Sequence, residues 1–292
     1  MLVSPSGPTR PERVERGIQL LTGWGLRVTL APHVFERSGY LAGSDEQRLA
    51  DLNLALADDG VRGVLCTRGG YGAQRVVDGL DFAAVRRDPK VVLGFSDITA
   101  LQLALWRGVR LATVHGPGAA WSAVRTGDVS AASLRDALMS TEPVVLKATP
   151  EDESGPVRLG DAASGRLLGG NLSLLTSSVG TVDQPDLHGA ILLLEEIDEP
   201  PYKVDRMLLH LRRSGVLDGV AGVALGHFTN CADRWPTSIV DVLVDHLATL
   251  GVPVLGGLPV GHGPDQLTVA LGVPATIDVG AGTLTVESAV QG

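Results

Sequence analysis

Short apolar runs alternate with stretches of helical periodicity from the first residues onward. The chain predicts a strand from Leu2 to Ser4, a helix from Glu12 to about Trp24, and a second strand from Leu26 to Ala31. Leu49, Leu52 and Leu56 recur at helical spacing behind Ser44 and Asp45, which can cap free backbone N–H groups, so a helix is expected over Asp45 to Ala57. Val64 to Cys66 reads as a short buried strand, followed by a Gly-rich loop from Arg68 to Gly72 and a short helix through Val77. Val91 to Leu93 predicts another strand, which runs into Gly94, Phe95 and Ser96. Ile98, Leu101, Leu103 and Ala104 then mark a helix. Continuous apolar strands between amphipathic helices imply a parallel sheet covered on both faces, a doubly wound α/β domain.

From about Ser140 to Ser164 the sequence turns polar and rich in Pro, Glu, Asp and Gly, with no sustained period. That stretch reads as an interdomain connection. The expected organisation is an N-terminal α/β domain over residues 1–140, a linker over 141–164 and a C-terminal domain over 165–292, a division that suits 292 residues. Within the second half, Ala190 to Leu194 predicts a buried strand, Pro201 to Arg213 a helix opening on proline, and Ser238 to Leu250 another helix. Short strands and turns follow from Gly256.

Composition narrows the function. Hydrophobic residues make up 44% and charged residues 20%, which suits a globular chain with a sizeable core. A net charge of -9 argues against a phosphate-tracking nucleic-acid surface, which needs clustered Lys and Arg. The two cysteines, Cys66 and Cys231, lie beside apolar runs and read as buried, reduced thiols. Met1 to Pro8 does not have the pattern of a secretory signal, and no apolar segment reaches the roughly 18 residues of a spanning helix. A cytoplasmic protein with no membrane partner is expected.

Four segments could carry chemistry. Ser96 follows a strand and a glycine and precedes a helix, a geometry that exposes a hydroxyl above a sheet. From this segment alone a plain helix cap, a very common role of serine, is the stronger explanation. Ile98 occupies the second glycine position of the G-x-S-x-G elbow, so that family is not indicated. The loop Thr67 to Gly72 is compatible with a phosphate cradle, an oxyanion hole or a tight turn. Glu195 and Glu196 sit at the end of a buried strand, and only one of them should point inward. An exposed acid pair is the alternative. His262, flanked by Gly261 and Gly263, is suited to act as a general base. Of the other histidines, His33, His188 and His246 read as surface positions and His210 as helical, while His115 and His227 could line a cleft. His227, Cys231 and Asp233 lack a second ligand pair at zinc-like spacing, so no metal is expected. A dinucleotide fingerprint with its acidic partner is also missing, and no cofactor is expected.

Together the segments resemble the LD-carboxypeptidase family of serine peptidases, which includes murein tetrapeptide carboxypeptidases and microcin self-immunity carboxypeptidases. The resemblance rests on Ser4 to Pro8, Arg68 to Gly72, Gly94 to Leu101, His115 to Pro117, Gly169 to Leu175, Leu194 to Leu208 and Gly261 to Gly263. It implies a Ser96–His262–Glu195 triad and an oxyanion hole at the backbone N–H groups of Asp97 and Gly70. The implied fold is an N-terminal flavodoxin-like or Rossmann-like parallel-sheet domain plus a smaller β-rich α/β C-terminal domain, with the triad split between them. The implied activity is hydrolysis of the amide between an L-centre and a terminal D-amino acid of a small murein peptide, in a homodimer. Arg68, Tyr71, His115 and Arg206 are the substrate-binding candidates. One departure is the first strand, where only Met1 to Val3 precede Ser4. Within the family the alternative is a self-immunity hydrolase of peptidyl or aminoacyl nucleotides, with Trp121 or Trp235 as base platform. From another class, a non-catalytic small-ligand or nucleotide-binding protein would use the Arg68 to Gly72 loop as its cradle.

Overall fold

The computed structural model describes residues 1–122, 126–232, 234 and 236–290. Four parallel strands, β1 (Leu2–Val3), β2 (Gly63–Cys66), β3 (Val91–Gly94) and β4 (Thr113–His115), lie side by side in that order. Between them run α1 (Pro11–Gly23), α2 (Asp45–Ala57), α3 (Phe82–Arg87) and α4 (Thr99–Val109), with α5 (Asp128–Met139) after β4. Both faces of this sheet are covered. Val3, Val64 and Val92 pack with Leu52, Ile98 and Leu101, whereas the adjacent Leu2, Leu65 and Leu93 pack with Val14, Leu21 and Trp121. The period of two along each strand divides the apolar run between two helical layers. Ser44 begins α2 with a reciprocal capping box to Gln47, an arrangement worth about 1 kcal/mol.

The second half is organised on a larger sheet. Its strands are β5 (Val144–Lys147), β6 (Arg158–Leu159), β7 (Ala162–Asn171), β8 (Ala190–Ile197), β9 (Gly222–Thr229) and β10 (Val254–Leu255). Next come β11 (Val269–Leu271), β12 (Pro274–Asp278) and β13 (Thr283–Val286), with the order β5-β13-β12-β7-β8-β9-β10-β6. β11 instead crosses to the first sheet and pairs antiparallel with β4, tying the two halves together. Three helices, α6 (Leu172–Ser177), α7 (Pro201–Arg213) and α8 (Ile239–Leu247), cover one face, on which Leu192 and Leu194 meet Leu208 and Leu243.

Two expectations change. Residues 26–31 do not form a strand. Only Leu30 bridges to Leu2, because β1 is two residues long and offers little ladder to extend. The stretch 141–164, read as a linker, contributes β5 and β6 to the large sheet. Both are outermost strands; in β5 only Leu146 is buried, and both β6 residues are at least partly exposed. Their sequences therefore lack the apolar run that marks an interior strand.

Candidate active site

β3 and β4 end side by side, Gly94 opposite His115, at the carboxyl edge where α/β folds gather functional groups. The backbone passes through extended Phe95 into Ser96 at φ 65°, then a short 3-10 turn over Ser96–Ile98 leads into α4. A left-handed serine costs on the order of 1–2 kcal/mol and marks a sharp strand-to-helix turn. Gly94 is needed there, since a Cβ would lie 2.7 Å from Ile98. Neither the 3-10 turn nor α4 starts with a side-chain cap, and the Ser96 hydroxyl instead meets Nε2 of His262 at 3.0 Å.

His262 comes from the loop after β10. Its Nδ1 lies 2.6 Å from Oε2 of Glu195, its ring packs 4.8 Å from Phe95, and its carbonyl accepts from Thr229 Oγ1 at 3.2 Å. Gly261 has φ 99°, and a Cβ there would lie 2.5 Å from Oε2 of Glu195, so loop and carboxylate fit only with glycine. Glu195 is wholly buried at the end of β8. Burial opposes its ionisation, but His262 outweighs that opposition and holds its pKa below the ordinary carboxylate range.

Glu196 is buried too, correcting the expectation that one acid of the pair would be solvated. It accepts from Asn171 Nδ2 at 3.0 Å and from the Ser173 backbone N–H and hydroxyl at 2.8 and 2.7 Å. Burial raises its pKa. The two neighbours do face different ways, but the sheet is covered on both sides, so both directions lead inward.

The Gly-rich loop lies against the serine. Gly69 is the neighbour of Ser96: a Cβ on it would fall 2.7 Å from Ser96 Cβ. Gly70, at φ 120°, stacks on Gly7. Asp97 holds this arrangement in a way its sequence position does not reveal. Its buried carboxylate accepts from Ser6 Oγ at 2.6 Å and from the Ala73 backbone N–H at 2.8 Å, while the Gly7 N–H donates to the Gly69 carbonyl at 3.2 Å. Arg48 adds a second fastening, donating to the carbonyls of Pro5 and Gly72 and pairing with Asp45. A charged residue on the predicted inner face of α2 was the only signal for it.

The remaining candidates separate. Arg68 and Tyr71 are exposed and border a groove of about 610 Å³ with Arg37 and Tyr40, beside Gly7 and Gly70. His115 is fully buried, so it cannot touch a substrate; it lies behind the triad. Arg206 lies on the exposed side of α7 with its guanidinium 5.6 Å from the Tyr202 ring centre. His246, expected at the surface, is buried between Asp205 and Arg212. Trp121 is packed into the core of the first half, which removes it as an open platform for a base. Trp235 and Asp233 lie outside the described residues. His227 pairs through Nδ1 with Asp152 at 2.6 Å, and Cys231 Sγ approaches the Thr229 carbonyl at 3.6 Å. Among the described residues no group of three His, Cys, Asp or Glu is placed to hold a metal, and no helix is long and apolar enough to cross a membrane. Burial pushes the thiol of Cys66 far up and that of Cys231 up to about 12, so neither is an activated nucleophile.

A serine, a histidine and a buried carboxylate joined in series on an α/β frame are the equipment of a hydrolase that acylates its own hydroxyl. Comparison with known proteins gives the family. The LD-carboxypeptidase N-terminal domain matches residues 1–116 and the LD-carboxypeptidase C-terminal domain residues 164–277. The chain belongs to the LD-carboxypeptidase family. It is 43% identical over 291 residues to a putative carboxypeptidase of Streptomyces coelicolor, covering 98% of this chain and 92% of that protein. A probable murein peptide carboxypeptidase of Bacillus subtilis is 36% identical, covering 99% and 92%. Among solved structures, muramoyltetrapeptide carboxypeptidase from Oxalobacter formigenes superimposes with a TM-score of 0.86 at 29% identity, covering 98% of this chain and 99% of that one. A microcin self-immunity protein shares the fold, with a TM-score of 0.88 at 23% identity, covering 98% and 95%.

Proposed function

We propose that this protein removes the terminal D-amino acid from a murein peptide, cleaving the amide that joins it to an L-centre through an acyl-enzyme on Ser96. The observation that carries the reading is the unbroken series Ser96–His262–Glu195, with contacts of 3.0 and 2.6 Å. Ser96 Oγ attacks the carbonyl carbon as its proton passes to Nε2 of His262. Glu195 keeps the imidazole's other proton on Nδ1 and stabilises the imidazolium. That imidazolium protonates the departing amine, the C–N bond breaks, and an ester remains on Ser96. Water, activated by the same histidine, then hydrolyses the ester. Backbone N–H groups of Asp97 and the Gly69–Gly70 turn are assigned to the oxyanion, each worth about 3 to 4 kcal/mol. The groove bordered by Arg68 and Tyr71 adjoins this turn and suits a peptide carrying a free carboxylate.

The test is incubation of the purified protein with a murein tetrapeptide and, separately, with an aminoacyl-sulfamoyl adenylate. Release of D-alanine that disappears in Ser96→Ala, Glu195→Ala and His262→Ala is the expected result. Cleavage of the adenylate alone would move the chain to the self-immunity reading. Binding that survives Ser96→Ala with no hydrolysis by the wild type would make it a binding protein. The homodimer and the cytoplasmic location belong to the same proposal; light scattering and cell fractionation test them.

A further inference from the structure

The stretch 149–157, which the sequence presents as part of a bare connection, is fastened to the root of the His262 loop. The Thr149 N–H donates to the Gly257 carbonyl at 2.7 Å, and the Gly256 N–H to the Val157 carbonyl at 2.8 Å. Wholly buried Ser154 ties the loop to β9, its Oγ accepting from the Gly257 N–H at 2.9 Å and donating to the Gly226 carbonyl at 2.8 Å. Further along the loop, the His227 N–H of β9 donates to the Val260 carbonyl at 2.8 Å.

One side chain of this strap serves the far end of the loop. Asp152 places Oδ2 2.6 Å from Nδ1 of His227, while its Oδ1 accepts from the Ser154 N–H at 3.2 Å. Burial opposes ionisation of Asp152, but His227 and Ser154 outweigh it and hold its pKa below the ordinary carboxylate range. An ionised carboxylate only accepts, so the His227 hydrogen stands on Nδ1. Nε2 of His227 has no partner among the described residues, which leaves Asp152 as the ring's polar fastening there. The ring in turn carries Gly263: a Cβ on that glycine would fall 2.2 Å from Cδ2 and 2.3 Å from Cγ and Nε2, so its backbone rests on the face of the imidazole. His262 stands between two glycines, which confer the widest backbone freedom, and its placement therefore depends on such outside supports.

We propose that His227 and Asp152 are positioning residues for the catalytic base. Asp152 fixes the plane of the His227 ring, the ring fixes Gly263, and Gly263 sets how His262 spans the gap from Glu195 to Ser96. The charged groups that the strap brings to His227 are Asp152 and Glu153. The inference rests on the triad reading.

Kinetics over a range of pH test it. Asp152→Ala frees the ring and should lower kcat for D-alanine release about tenfold with KM little changed, less than the roughly 10²-fold cost of a full misplacement. The acid limb of its kcat/KM should move to lower pH, because an imidazolium held less closely by Glu195 is less stabilised. Asp152→Asn should restore most of kcat and return the limb, since its Oδ1 can keep the Ser154 N–H while its NH₂ bonds Nδ1 of the other tautomer. A merely structural role would lower the folded fraction and leave the limb where it was. Wild-type kcat or a wild-type limb in Asp152→Ala overturns the proposal, as does Asp152→Asn impaired to the same degree. Should Asp152→Ala not fold, nitrogen NMR of the wild-type protein decides: a hydrogen on Nδ1 of His227 is expected, and one on Nε2 alone overturns the pairing. Full activity of Ser96→Ala would sink the triad reading instead, whatever the limbs show.

Discussion

Gly69→Ala isolates the placement of Ser96. Gly69 is not in the left-handed region, so alanine suits its backbone and the change acts by contact alone. The new Cβ would start 2.7 Å from Ser96 Cβ, 3.0 Å from Ser96 Oγ and 3.1 Å from the Phe95 carbonyl oxygen. Ordinary contact begins near 3.4 Å, so the two chain segments must separate by about 0.7 Å. Ser96 is already held at φ 65° and has little freedom to turn away. A shift of that size carries the 3.0 Å contact with His262 out of hydrogen-bond range. Misplacement by about 1 Å costs about 10²-fold, so kcat for D-alanine release should fall between about 10- and 100-fold. Labelling by a serine-directed phosphonate should slow in parallel, while circular dichroism and Tm stay close to wild type. Gly23→Ala, at the end of α1 with nothing within 4 Å of the new Cβ, is the matched control and should keep full activity. If Gly69→Ala kept more than half the wild-type kcat, the serine would not be held where the reasoning requires.

Glu195→Gln should lower kcat by 10² or more, approaching about 10⁴ if the amide turns its NH₂ to Nδ1 and reverses the tautomer; a steady-state profile with unchanged kcat would refute the role of the buried charge. Gly263→Ala should destabilise the protein or displace the His262 loop, since its Cβ would meet the His227 ring at 2.2 Å, and a combined Gly263→Ala, His227→Ala variant should recover part of the loss in Tm. Stability should also fall with acid in a defined window. His115 titrates at about 4 when folded against an ordinary 6.5, so its contribution is complete above pH 6.5. It drains away as the unfolded chain takes up the proton, to a limit of roughly 3 kcal/mol by pH 4. Glu195, with its lowered pKa, adds a loss in the same direction only below about pH 4.5. Urea unfolding of wild type and His115→Gln at several pH values measures this, and curves of equal slope between pH 6.5 and 4 would refute it.

The interior strands β2, β3 and β8 and most long helices are legible in the sequence because burial on both faces leaves an apolar run and amphipathic helices leave a period. β5 and β6 are not, since an outermost strand is half solvated and reads as a polar link. Ser96, Glu195 and His262 are legible as candidates from their glycine and strand contexts and from the family resemblance. Asp97 and Arg48 are not legible in the roles that their side chains play, because a polar residue within a helical or turn segment looks the same whether it faces water or is fully paired inside.

By itself, then, the sequence determines an α/β chain with a serine on a tight turn, an acid at a strand end and a glycine-flanked histidine far downstream. It leaves the serine between helix cap and nucleophile, and the acid pair between surface and site. Only the tertiary structure supplies the contacts on which the nucleophile reading rests, by folding segments 166 residues apart until Ser96 and His262 stand 3.0 Å from each other and by burying Glu195 behind them. The reason is physical. Local sequence governs backbone torsion and apolar period, whereas the role of a polar side chain depends on which distant partner shares its dehydrated space.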